Sequence, residues 1–401
     1  MSRSAQAPPE TPARRTGAHP ADARTVGLLV GAAVFVLTQL YAAIPLLGPV
    51  GDDLGGDVTF ALATCFSLCY ATGFLIWGPV SDQYGRKKVM TAGLLVLSAA
   101  TLACAFTASV AWLGALRGVQ GLAAASFAPT ALAYLSEAVP PHRRAGAIGA
   151  MSTAFLVAGI FGQVFASWVS LNIGWPWVFA VCAVVFAGAS LATALTVVEP
   201  RRETSPGHLG HRFLAAGRLV VRPEVLLLCA AHLTLLLSFV GMYTALGPHL
   251  GTLGVDESGV IWLRLVGLPG MFAALLAGRL ALRWGTENAA RAGFLLAAAG
   301  IAAEALLGRS PAGVAAASPV FVTGVALTVP SMITLFGRES APDRASGMAL
   351  TGFVLFVGAS LGPVAARHTG DFAALLWGFA GLLTFAAGCL TVFRRLVSGT
   401  P

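Results

Sequence analysis

The sequence predicts an all-α integral membrane protein of twelve transmembrane helices, arranged as two pseudo-symmetric six-helix halves. Three observations predict it. Of 401 residues, 57% are hydrophobic and 10% charged, with mean hydropathy +0.80, whereas soluble domains carry roughly 25% charged residues. Twelve apolar stretches approach the ~20 residues a helix needs to cross ~30 Å of hydrocarbon. Fragments also recur at a spacing of 199 or 200 residues: Gly78 to Gly85 with Gly278 to Gly285, Leu47-Gly48-Pro49 with Leu246-Gly247-Pro248, Arg144-Ala145 with Arg344-Ala345, and Gly162 to Ala166 with Gly362 to Ala366. A near-constant spacing indicates two halves of one orientation, related by an axis along the membrane normal.

In chain order, residues 1–24 are rich in Ala, Pro and Arg without apolar patterning and read as a disordered cytoplasmic tail. The apolar run after them is about twice as long as a signal h-region, so it stays as the first span. The first half covers 25–198, with spans expected at 25–48, 58–80, 88–108, 110–138, 144–170 and 174–198. Residues 199–223, with Arg201, Arg202, Arg212, Arg218 and Arg222 among Pro200, Pro206 and Gly207, read as a cytoplasmic linker. The second half covers 224–393, with spans expected at 224–249, 257–283, 288–307, 311–336, 344–366 and 372–393, and 394–401 forms a cytoplasmic tail. If the N-terminus is cytoplasmic, all but Arg117, Arg264, Arg309 and Arg367 of the 25 Lys and Arg fall on the inner side. The positive-inside rule therefore places both termini in the cytoplasm. The same distribution accounts for the +8 charge without a nucleic-acid partner.

The densest charge lies in Gly78-Pro79-Val80-Ser81-Asp82-Gln83-Tyr84-Gly85-Arg86-Lys87-Lys88, between the second and third spans. Asp82 can accept hydrogen bonds from the free N–H groups that open a neighbouring helix, and its charge complements that helix's positive end. Gly78 and Gly85 allow close backbone approach, while Arg86, Lys87 and Lys88 anchor the inner side. In the second copy Leu282 stands where the acid would be. That loop is expected to keep packing and orientation only.

This chain resembles the major facilitator superfamily. Gly78-x-Val80-Ser81-Asp82-Gln83-x-Gly85-Arg86-Lys87 is similar to its signature G-x-L-A-D-R-x-G-R-R, with Val80, Ser81 and Gln83 in place of Leu, Ala and Arg. Arg117-Gly118-Val119-Gln120-Gly121 in the fourth span resembles the R-x-x-Q-G motif of proton-coupled drug exporters. Gly159-Ile160-Phe161-Gly162 departs from the exporters' G-x-x-x-G-P-x-x-G by lacking the proline. The resemblance implies a two-half alternating-access transporter. It also implies that Asp82 meets the start of the eleventh span, near Arg344-Ala345-Ser346, and that Arg86 pairs with Glu137. These contacts would form a latch that holds the inner side closed.

Arg117 is the sharpest intramembrane residue, since a guanidinium there costs several kcal/mol unless it faces protein or water. It is expected to point at a central cavity, with Gln120 one turn along; the alternative is snorkelling to the headgroups. Its candidate partners are backbone carbonyls, Gln39, Tyr41, Gln163, the other half, or an anionic group on the substrate. His232 titrates near neutral pH and is a candidate proton carrier, or equally a neutral hydrogen-bonding group. Glu304 is expected at the outer interface, and Arg264 to pair with Asp256 or Glu257, the alternative being that it faces the cavity. Trp112, Trp168, Trp175 and Trp262 fit an interfacial belt.

The six cysteines, Cys65, Cys69, Cys104, Cys182, Cys229 and Cys389, have no metal-ligand spacing and read as packing residues. Gly114-x-x-x-Gly118 and Gly358-x-x-x-Gly362 read as close helix packing within a monomer. No nucleotide-binding loop, catalytic set or metal cluster is found, so the energy source expected is a proton gradient with no cofactor. The expected function is secondary active, proton-coupled efflux of a small amphipathic compound, such as an antibiotic or secondary metabolite. Transport of a sugar or other small metabolite is the alternative within transporters, and an intramembrane enzyme or sensor the alternative class. The Arg-over-Lys bias and the abundance of Ala and Gly suggest the cytoplasmic membrane of a high-GC bacterium.

Overall fold

The computed structural model describes residues 21–199, 221–341 and 344–398, apart from the side chains of Pro141, Ala145, Arg344, Ala345 and Ser398. Most of the expected N-terminal tail and linker lies outside the described residues. The spans are Ala23–Tyr41 with Ala43–Leu54; Phe60–Thr64, a π-helical turn, with Cys65–Tyr84; Arg86–Ala105; Val110–Ala124 with Ala128–Ala138; Pro141–Asn172; and Trp175–Thr196. The second half repeats the plan with Pro223–Thr252; Glu257–Val266, Leu268–Met271 and Ala274–Trp284 in series; Thr286–Leu307; Pro311–Glu339; Arg344–His368; and Phe372–Ser398. They are called the first to twelfth spans below, and the side carrying Gly85 and Gly285 is called the inner side.

Eleven of these are long and apolar enough to cross a membrane as described. The fourth falls short only because it is broken at Ala125–Phe127. Proline explains three of the interruptions. Pro129 cannot donate to Ala125, Pro45 cannot donate to Tyr41 and Pro269 cannot donate to Leu265, so the α-helical ladder parts near each of these sites.

Several expected edges move. The second span runs on to Tyr84, so Gly78 and Asp82 sit on its last turns and the loop shrinks to Gly85. Gly85 (φ 105) and Gly285 (φ 83) occupy equivalent turns in a region that side chains avoid. The first helix starts at Ala23, two residues inside the expected tail, where Asp22 accepts a hydrogen bond from the Thr25 N–H at 2.8 Å. That bond holds the Asp22 carboxyl below its usual range. The twelfth span takes in Arg394 and Arg395, so most of the expected C-terminal tail is helical.

Within the first half the third span packs on the sixth, the first on the fifth and the second on the fourth. In the second half the ninth packs on the tenth and twelfth, and the seventh on the eleventh. The halves meet along the second and eleventh spans and along the fifth and eighth. Glycine sets the closest approaches. A Cβ at Gly358 would lie 2.1 Å from the Leu233 carbonyl oxygen, and one at Gly121 2.2 Å from that of Phe66. Gly358→Ala should therefore abolish recovery of monodisperse protein on size-exclusion chromatography, since the backbones must separate to admit the methyl. Gly78→Ala should leave recovery unchanged, because its Cβ would meet nothing within 4 Å among the described residues. Close approach, expected at Gly78, is absent there.

Candidate functional site

Arg117 is 1% exposed and lies inside the first half, between the first, second, fourth and sixth spans, so it neither faces the seam between halves nor snorkels. Its Nε donates to the Leu62 carbonyl at 2.7 Å, one terminal nitrogen to Gln120 Oε1 at 2.5 Å and the other to the Gln39 carbonyl at 2.8 Å. Leu62 lies in the π-helical turn, and Gln39 among the last four residues of its helix, where carbonyls lose their intrahelical donors. The guanidinium also stands 4.3 Å from the centre of the Phe66 ring, a favourable place for a cation. Gln120 extends the network, donating to Gln39 Oε1 at 2.8 Å and to the Thr101 hydroxyl at 2.7 Å. Arg117 thus ties together interruptions in the first and second spans that would otherwise leave bare carbonyls.

The other expected partners stand elsewhere. Gln163 donates to the Gly159 carbonyl at 2.7 Å within its own helix. Tyr41 lies at the seam, edge-on to Phe239 of the seventh span with ring centres 5.9 Å apart. His232 is fully buried beside the Phe336 ring, and neither ring nitrogen has a partner among the described residues.

The seam is aromatic at mid-depth. Phe239 packs against Tyr41, Tyr243 and Phe321, and Tyr70 meets Phe356 across the second and eleventh spans at 4.5 Å. Towards the outer side three polar contacts join the halves. Asp57 pairs with Arg367 at 2.7 Å, the Thr64 hydroxyl donates to the Ser360 carbonyl at 3.2 Å, and Arg264 donates to the Ser167 hydroxyl at 2.5 Å. Burial pulls the Asp57 carboxyl upward, but hydrogen bonds from Thr59 and the Arg367 charge outweigh it and hold the group below its usual range. Arg264 makes no ion pair with Asp256 or Glu257, correcting the expected pairing: Asp256 caps its own helix at Gly259.

At the inner side Arg86 pairs with Asp82 at 2.5 Å and with Glu137 at 2.9 Å. Sequence reasoning missed Glu199, whose carboxylate accepts from the Arg86 and Lys87 N–H groups at 2.6 and 3.0 Å. Lys87 thus contributes a backbone donor at the positive end of the third helix. The side chains of Arg344 and Ala345, the expected neighbours of Asp82, lie outside the description. The second loop keeps more than packing: Glu287 pairs with Arg338 at 3.0 Å, and both pairs are separated by 51 residues with their charges reversed. A hollow of about 250 Å³, lined by Arg222, Glu224, Glu339 and Val397, sits at the inner rim of the second half, away from the seam.

Two further expectations change. Glu304 is fully buried and not interfacial. Trp175 is 7% exposed, its indole N–H donating to Asp53 at 3.1 Å, whereas Trp112, Trp168 and Trp262 are exposed as a belt requires.

The family model described as Major Facilitator Superfamily matches residues 29–363. A probable transporter of Streptomyces coelicolor is 29% identical over 403 residues, covering 96% of this chain and 91% of that protein. Multidrug resistance protein 3 of Bacillus subtilis is 26% identical over 155 residues, 38% of this chain and 30% of that protein. Across five curated relatives, that protein among them, the chain spans between 25% and 60% of the relative's length. In fold the chain is similar to a bacterial homologue of the human lysosomal transporter Spinster, solved in an inward-facing and occupied conformation. The TM-score is 0.71 at 16% identity, over 94% of this chain and 98% of that one.

Proposed function

The chain belongs to the major facilitator superfamily, and from that premise we propose that it exports a small amphipathic compound, an antibiotic or secondary metabolite, in exchange for protons. Residues 25–198 rock against 224–393, with both termini in the cytoplasm, and a single copy suffices. The observation that carries the cargo class is the aromatic seam: Tyr41, Phe239, Tyr70 and Phe356 meet at mid-depth where cargo must pass. Such a surface favours flat or apolar compounds over a sugar, whose hydroxyls need a dense set of polar partners. The likeness to a multidrug resistance protein points the same way. Arg117, Gln120 and Gln39 serve by fixing the shape of the first half, and Tyr41 lines the route. Asp82, Arg86 and Glu137 supply the first half's side of the inner latch, with Gly85 making its turn and Glu199 capping the third helix.

A resistance screen of a susceptible host expressing the chain tests this reading. The intact protein should protect against at least one amphipathic antibiotic, an uncoupler should remove the protection, and Asp82→Asn should reduce it to near the empty-vector level at equal expression. Accumulation of the compound inside the cells would sink export, and equal protection by Asp82→Asn would remove the latch.

A further inference from the structure

Among the described residues Glu304 is the one acid that is fully buried, and it does not stand alone. From the ninth span its carboxyl faces Ser318 of the tenth, whose hydroxyl also neighbours the Tyr243 phenol of the seventh, and Tyr243 in turn neighbours Arg264 of the eighth. All four side chains are at most 4% exposed. Both Glu304 oxygens, the Ser318 and Tyr243 hydroxyls and Arg264 Nε have no hydrogen-bond partner, so these groups are near enough to sense one another without closing a bond. Five adjacent buried polar atoms with unspent capacity are unusual, since buried polar groups are normally satisfied. The string ends at the seam, where Arg264 donates to Ser167 of the fifth span.

We propose that Glu304 is a proton-carrying group of this transporter and that Ser318 and Tyr243 couple its charge to Arg264, which closes the outer side. This rests on the proton-coupled reading above. With Glu304 protonated the acid is neutral, and the Arg264 guanidinium turns to Ser167, as in this structure. Loss of the proton leaves a carboxylate that draws Arg264 back into the second half through the Tyr243 and Ser318 hydroxyls. The Ser167 bond is then released and the outer side opens. The direction suits exchange: the deprotonated carrier opens outward to discharge cargo, takes a proton there, and closes.

Other titratable groups near the string define the controls. From the seventh span His249 bonds the Gly308 carbonyl at 2.7 Å and stacks on Phe372 of the twelfth, and His232 lies deeper on the same helix. From the eighth span Glu257 acts on Arg264 at a distance, and at the start of the twelfth Asp371 caps its own helix at Ala374. Both histidines stand near the string and serve as controls.

The experiment is hydrogen–deuterium exchange on the full chain in detergent at pH 5.5 and 8.5, corrected for intrinsic exchange, reading amides 57–64 and 360–368 at the outer closure. The intact protein should exchange there about tenfold faster at pH 8.5, within the range usual for coupled sites. Glu304→Gln should stay protected at both values, Glu304→Asp should restore the response, and Tyr243→Phe should weaken it. His249→Gln and His232→Gln should keep it. A wild-type response in Glu304→Gln, its loss in either histidine variant, or no response in the intact protein overturns the proposal. If it falls while resistance still collapses with uncoupler, proton coupling stands with another carrier. If the Glu304 response is present but resistance survives the uncoupler, the switch stands and proton-driven export falls.

Discussion

Arg117→Ala should lower the apparent melting temperature in detergent by about 5–10 °C and abolish resistance, the larger stability effect of any single polar substitution in the first half. Truncation strips donors from the Leu62 and Gln39 carbonyls and from Gln120 Oε1, all in a site closed to water. Leaving buried acceptors unmade costs about 1–3 kcal/mol apiece, so a total near or above 3 kcal/mol is expected. Arg117→Met restores volume and none of the donors, and should fall as far as Ala. Arg117→Lys supplies an ammonium that can serve some of the acceptors but not the fork, and should recover part of the loss. If Arg117→Met melts like the intact protein, the network is dispensable for stability. Were resistance lost at unchanged melting, Arg117 would be touching cargo instead.

Legibility in the sequence followed how local the signal was. Apolar runs belong to one segment at a time, so the spans could be read directly; the 200-residue spacing pairs Gly85 with Gly285, but the expectation at Gly85 is close backbone approach, whereas both glycines make positive-φ turns. The pairing of Arg117 with Gln120 also follows from one turn of helix. Its other acceptors are main-chain oxygens at helix interruptions, which leave no mark on residue type. Glu304 was misplaced for a related reason. Distance from a helix end measures depth, whereas burial depends on which face meets the tenth span, and Gly300, whose Cβ would lie 2.2 Å from the Phe321 nitrogen, lets that span come close. The reversed pair Glu287–Arg338 was within reach of the repeat, but a search for the same charges at matching positions hides it.

That reversal carries the second large expectation. Arg86→Glu should drop resistance below about a tenth of the intact level at equal expression, because the new carboxylate would stand beside Asp82 and Glu137 with Glu199 on the same helix start. The Arg86 side chain is 15% exposed while its partners Asp82 and Glu137 are 28% and 41% exposed, so the cost should exceed the ~0–1 kcal/mol of a surface pair but stay below the ~3 kcal/mol of breaking a buried one. Adding Glu137→Arg restores one attraction but leaves Asp82 and Glu199 facing a like charge, so recovery should be partial. In the second half Glu287→Arg should cost less, since Arg338 is 52% exposed and can turn to solvent. The full swap of Glu287 and Arg338 should there restore resistance almost completely, because Leu282, 90% exposed, stands where Asp82 would object. Equal rescue in both halves would mean that Asp82 and Glu199 play no part in holding Arg86, and the latch would reduce to a single ion pair. Rescue confined to the second half would make the extra acids, absent from its copy, the source of the asymmetry between the two inner turns.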